Sequence, residues 1–208
     1  EDGIRDSSTS RGLGDVYKRQ TMANKDAAFG LKSIGKVGQN RDNQGLSEYS
    51  IAASATAIYQ GDPVEILAAG TIGVAAASDA LLGSLGGVFF TDASTSKPTF
   101  ANHLDASNTA TDIKGFVSDD PYERFEIQAD GATAAADVGL NADIVYAAGA
   151  SPDYVSKVEL QTSDQKTGTA QLRILGISKD IENNEAGSAN VNLVVLINEH
   201  QLKGTTGV

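Results

Sequence analysis

The chain has 208 residues, a net charge of −11, no cysteine, no tryptophan and 6% aromatic residues. That charge disfavours direct nucleic-acid binding, which needs clustered lysine and arginine to replace counterions. No apolar run is long enough to cross a membrane as a helix, and the lack of cysteine excludes disulfides, thiolate catalysis and cysteine-ligated zinc together.

Residues 1–21 have no apolar period, no capping pattern and no apolar run of signal-peptide length. The ends of this stretch, EDGIRD and SRGLGDVYKRQ, resemble translated sequencing-adapter sequence. It reads as a non-native leader, and Met22-Ala-Asn-Lys25 reads as the natural start. The remainder is long enough for one domain with a real core, or for a domain plus an arm.

Met22–Tyr49 reads as an N-terminal arm. Phe29, Leu31 and Ile34 are its few apolar anchors, and Gly30, Gly35, Gly38 and Gly45 interrupt any period. Lys25, Lys32, Lys36 and Arg41 make it the basic part of an acidic chain. Two arrangements suit such a segment: it folds against its own domain, or it drapes over a neighbour.

Residues 50–208 read as one β-domain. Gln60-Gly-Asp-Pro63 is a turn, Val64–Leu67 a strand, and Gly70 turns the chain into Thr71–Ala75. Leu81–Phe90 is apolar and glycine-punctuated, as in a bent or bulged strand that another backbone approaches closely. Thr91–Thr111 is polar and reads as a long surface loop, with Lys97–Phe100 as its one short strand. Ile113–Val117 and Arg124–Ala129 flank an acidic turn. In the second of these, Phe125, Ile127 and Ala129 point one way, and Glu126 and Gln128 the other. Ala132–Val138 suits one helical turn. Asp143–Tyr146, Ser156–Gln161 and Ala170–Ile177 read as strands, with Val158 and Leu160 turned inward. Val191–Asn198 is the most hydrophobic strand and belongs at the centre of its sheet. Many short strands separated by turns predict an all-β barrel or sandwich.

Candidate chemistry is sparse. His103 and His200 are the two histidines. No Gly-x-Ser-x-Gly elbow accompanies them, so a Ser-His-Asp triad is not indicated. His200 reads as a strand-end residue bonded to backbone or water. Asp119-Asp120 and Asp130 offer oxygens to a hard cation such as calcium, without EF-hand spacing, and a solvated turn is the simpler reading. Glu123 and Glu126 lie three apart in a strand, hence on opposite faces, which separates them as a carboxylate pair. Leu82–Gly87 lacks the Lys-Ser/Thr ending of a phosphate-binding loop. No catalytic residue, cofactor or metal is expected.

Several pieces in order resemble a family of small structural proteins of tailed bacteriophages, common in marine phages. The pieces are Met22-Ala-Asn-Lys-Asp-Ala-Ala-Phe-Gly-Leu-Lys32, Tyr59-Gln-Gly-Asp-Pro-Val64, Asp119-Asp-Pro-Tyr-Glu-Arg-Phe-Glu-Ile-Gln128, Val138-Gly-Leu-Asn-Ala-Asp143 and the segment from Ile197 to Val208. The chain departs from the family pattern at Ala28 and Ser33, where prolines are usual. The resemblance implies a head decoration or cement protein without catalytic residues. Its partners would be the major capsid protein and further copies of itself, with no nucleic acid and no membrane. Phe29, Leu31, Lys32 and Lys36 are the expected capsid-facing residues, and the β-domain is expected to stay folded without the arm. The alternative is a β-domain that binds glycans or a host surface through Thr91–Thr111. Scarcity of exposed aromatic residues for sugar stacking counts against it.

Overall fold

The computed structural model describes residues 23–38 and 45–204. The expected leader, residues 1–21, lies outside them, as do Met22 and the arm residues 39–44. In chain order the strands are β1 (Lys32–Lys36), β2 (Ser47–Ser50), β3 (Ile58–Tyr59), β4 (Pro63–Ile66) and β5 (Ile72–Val74). Next come β6 (Gly83–Thr91), β7 (Pro98–Ala101), β8 (His103–Leu104), β9 (Lys114–Ser118) and β10 (Glu123–Gln128). The last are β11 (Asn141–Ala142), β12 (Ile144–Val145), β13 (Glu159–Leu160), β14 (Leu172–Ile177) and β15 (Asn192–Ile197). Among the described residues the helical pieces are two short 3-10 turns, Ala135–Asp137 and Gln201–Lys203. The fold is all-β, as the pattern of short strands predicts.

A six-stranded sheet has the order β2-β9-β6-β4-β5, with β7 also paired to β6. A five-stranded sheet has the order β1-β10-β15-β14-β11. Every strand pair in both is antiparallel. Neither order of paired strands returns to its first strand, consistent with a sandwich, and a single bridge from Ile51, just past β2, to Ile72 of β5 draws the two ends of the six-stranded sheet together. Each sheet has its own buried cluster. Leu85, Val88 and Val117 from the six-stranded sheet meet Ile51, Ile58, Leu104 and Ile113 in one. Phe125, Ile127, Leu172, Ile174, Leu193 and Val195 from the five-stranded sheet meet Leu31, Val158 and Leu160 in the other.

The inward residues are those that alternation selects. Phe125, Ile127 and Ala129 are fully buried, as are Val158 and Leu160. β15 is the middle strand of its sheet, with Phe125 opposite Val195 on one side and Ile174 opposite Val195 on the other. β6 is bulged as expected: its register against β9 shifts between Leu85 and Gly87. A Cβ on Gly83 would run into the Ser118 carbonyl oxygen, so this position requires glycine.

Two expectations are corrected. The boundary drawn at Ser50 does not separate an arm from a domain, because β1 completes one sheet and β2 the other. Isolated polarity was also a poor guide over Thr91–Thr111. The short strand expected at Lys97–Phe100 is present as β7, but the segment also supplies β8, and Leu104 and Ala110 are buried. β7 is an edge strand with an exposed outer face, which explains its polar composition.

Candidate interaction surface

The arm is fastened to its own chain by side-chain amides that imitate peptide groups. Gln128 Oε1 accepts from Ala27 N–H at 2.9 Å, and its Nε2 donates to the Lys25 carbonyl at 2.9 Å. Asn183 does the same for Lys25, donating to its carbonyl at 2.7 Å and accepting from its N–H at 3.1 Å. Asn24 in turn donates to the carbonyls of Glu185 and Ala189. The outward face of β10, polar in sequence, is therefore covered by the arm, and Glu126 and Gln128 are buried. Nothing in their residue types announces this, because solvent and an overlying peptide satisfy a glutamine equally well.

The four residues expected to face a partner separate by strand alternation. Leu31 is 1% exposed and belongs to the chain's own core. Its burial contradicts the expectation that the glycine-rich arm leaves it free. Lys32 points outward with 65% of its side chain exposed, and its ammonium pairs with Glu126 at 3.4 Å. Phe29 is half-buried, with the Lys32 ammonium 6.0 Å from its ring centre. Lys36 is engaged with Asp120 at 2.5 Å. This contact holds the Asp120 carboxyl below the usual carboxylate range. Ile34, read from the sequence as an apolar anchor, and Val37 are both exposed. Among the described residues β1 pairs only with β10, and no strand lies on its other edge.

The acidic turn is satisfied by protein groups. Asp119 accepts from Ser47 Oγ at 2.9 Å and Tyr49 Oη at 2.7 Å. Burial, reinforced by the bond to Asp119, pushes the Tyr49 phenol up to about 12. Asp120 also accepts from Tyr122 N–H at 2.8 Å. Asp130 accepts from the Thr162 N–H and hydroxyl. Glu123 and Glu126 lie on opposite faces of β10, where Ser33 and Ser178 bond to them respectively.

His200 is buried at the end of β15, where its Nδ1 accepts from Leu202 N–H at 3.1 Å and caps the final 3-10 turn. The ring proton then sits on Nε2, which has no hydrogen-bond partner. Burial, with the nearby Lys203 charge, lowers its pKa to about 4, so the ring is neutral. His103 is not in a loop. It pairs in β8 opposite Tyr59 and stacks on Tyr154 at 3.8 Å between ring centres.

Asp62 is the second unsatisfied group. Its Oδ2 accepts from Tyr59 N–H at 2.8 Å, closing the Tyr59–Asp62 turn, while Oδ1 is buried without a partner. The Ser156 hydroxyl is near enough to lower the carboxyl's pKa somewhat but is not in hydrogen-bond geometry. Burial dominates and raises the carboxyl to about 6.

The outer face of the six-stranded sheet carries three phenylalanines. Phe89 and Phe100 are opposite one another on β6 and β7, with ring centres 4.8 Å apart. Phe116 on β9 lies 6.4 Å from Phe100 and nearly parallel to it. Phe100 is 74% exposed. Exposed aromatics are few among the described residues, Phe100 and Tyr122, and alternation contained the signal for this face: Phe116 stands between buried Gly115 and Val117. The same face continues past Gly86 into an apolar groove of about 360 Å³ bounded by Phe29, Leu31, Leu46, Leu85 and Val155. Comparison with protein-family models, with curated proteins and with solved structures finds no match, so the functional reading rests on these residues and their geometry.

Proposed function

We propose that this chain is a non-enzymatic structural protein of a tailed-bacteriophage virion, attached to the exterior of the assembled head as a decoration protein. Its partners are the major capsid protein and further copies of itself. The observation that carries the reading is the free edge of β1. There a basic residue, Lys32, and an apolar one, Ile34, stand exposed on a strand whose outer edge has no partner strand among the described residues, and Val37 is exposed just past its end. Such an edge accepts an extended segment from another chain. Its lysine attracts an acidic lattice despite the chain's net charge of −11. The arm's attachment to both sheets makes this edge rigid, so little ordering entropy opposes binding. Many copies on one lattice add avidity to a modest contact.

The test is cosedimentation with purified, expanded empty heads at micromolar protein. Wild type pellets with the heads and does so less as salt rises, while Ile34→Asp remains in the supernatant. Wild type that stays in the supernatant at low salt overturns the reading. A second reading, glycan binding, draws support from exposed Phe100, whose ring offers a stacking surface. Binding on a glycan array together with failure to pellet would favour it.

A further inference from the structure

The outer face of the six-stranded sheet combines a protruding ring and a hole. Phe100 is the most exposed of the large hydrophobic residues there. Its edge strand lifts it clear of Phe89 and Phe116, which brace it from below and beside. At the other end of the same face, Ser84, Gly86 and Ser118 form the floor of the groove. The about 360 Å³ available is near the lower limit of small-molecule pockets, about 300 Å³. A cavity of about 150 Å³ already holds a benzene ring, so the groove admits a phenyl ring with room to spare.

We propose that this face is a self-association surface, in which Phe100 of each copy enters the groove of a second copy of this chain. Three observations select a second copy. Ring and groove lie on one face, so a two-fold axis between them brings each ring to the opposite groove at once. This is the reciprocal arrangement of the commonest homodimers. The face is also locally neutral. Its charges are paired, Lys114 with Glu48 at 3.0 Å beside Phe116 and Lys32, which lines the groove, with Glu126 at 3.4 Å, on a chain that carries −11 in all. Two copies can therefore meet here without opposing unpaired like charges. Finally, two inserted rings and the phenylalanines they cover amount to an interface of roughly 1,000 Å². This lies at the low end of specific contacts and gives a reversible dimer.

The inference deepens the self-association in the proposed function. It is tested without capsids, so either can fail alone. Sedimentation velocity is run from low to high micromolar concentration on wild type, Phe100→Ser and Leu46→Trp. Phe100→Ser removes the ring, and Leu46→Trp fills the groove from its exposed rim. Both sites are on the surface, and circular dichroism confirms that each variant is folded. Wild type should shift from monomer to dimer, while each variant alone remains monomeric over the whole range. An equimolar mixture of the two variants should associate again, at higher concentration than wild type, since one supplies an open groove and the other a ring and one of the two insertions is restored. The proposal is overturned by a wild type that stays monomeric, by Phe100→Ser that dimerises as well as wild type, or by a mixture that stays monomeric. Wild type that is monomeric while Phe100→Ser loses cosedimentation with heads would assign the face to the capsid instead.

Discussion

Gly30 lies against Ser156 so closely that a Cβ added at residue 30 would stand 2.5 Å from the Ser156 Cβ. Gly30 has φ +72°, and the next residue, Leu31, donates its N–H to the Gly61 carbonyl at 2.8 Å. Ser156 N–H in turn donates to the Gln60 carbonyl at 2.8 Å. The arm, the Tyr59–Asp62 turn and the chain before β13 thus meet backbone to backbone. Gly30→Ala adds a methyl where there is no space and a side chain where φ is unfavourable. We expect a loss of about 2–4 kcal/mol, read as a melting temperature lower by roughly 5–15 °C. Gly38 has φ +73° with nothing near its Cβ position, so Gly38→Ala reports the φ cost alone. Equal melting temperatures for the two variants would remove the close-packing argument.

Deleting the arm should unfold the chain. Leu31 fills the core beside Phe125, and Gln128 and Asn183 depend on arm backbone for their hydrogen bonds. Leu31→Ala alone should cost about 2–5 kcal/mol, measured by urea denaturation. A chain starting at Ser50 that gives a cooperative transition with the wild-type midpoint would contradict this.

Val195→Asp should abolish folding. Val195 is fully buried in the middle strand of its sheet, with Phe125 and Ile174 as its cross-strand neighbours. An aspartate there is an unpaired buried charge. A soluble variant with wild-type circular dichroism would remove β15 from the core.

Asp62 and His200 should make stability depend on pH in opposite directions. The Asp62 carboxyl is raised to about 6 by burial, so the folded state holds its proton more firmly than the unfolded state does. Its contribution is fully present below pH ~4 and is lost as pH rises through about 6. His200 is lowered to about 4. Its contribution is present above pH ~6.5 and is lost as pH falls through about 4. Asp62→Asn should therefore raise stability at neutral pH by about 2–3 kcal/mol while adding nothing near pH 4. With the opposing carboxyl gone, Asp62→Asn should also lose stability more steeply than wild type as pH falls from ~6.5 to ~4. Urea midpoints across this range decide the matter. Parallel curves for the two proteins would show that Asp62 titrates normally.

Much of the fold was legible because burial follows alternation. Phe125, Ile127, Val158, Leu160 and Val195 are inside for the reason their spacing states. The bulge in β6 was announced by its glycines. The arm was not legible, because its fit depends on tertiary partners. Leu31 has no periodic neighbours to mark it as core, and the amides that pin Lys25 and Ala27 lie about 100 and 160 residues away in the chain. The candidate surface was half legible for the same reason. Lys32 was selected for its charge, but which apolar arm residues faced outward depended on the phase of β1, and a strand only five residues long does not reveal it.

The middle strand of the five-stranded sheet, β15, is synthesised after every other strand of that sheet, whereas its neighbour's neighbour, β1, is synthesised before them. The six-stranded sheet is complete in sequence by Ser118 and can close its own cluster during synthesis. Leu31 and β1 then wait for β10, made about 90 residues later, and β10 in turn waits for β15, made about 160 residues after β1. A nascent chain arrested before Val191 should accordingly protect β6 and β9 from hydrogen exchange while leaving the backbone of β1 open. Equal protection of β1 at that length would show that it finds β10 without the strand that holds β10 in place.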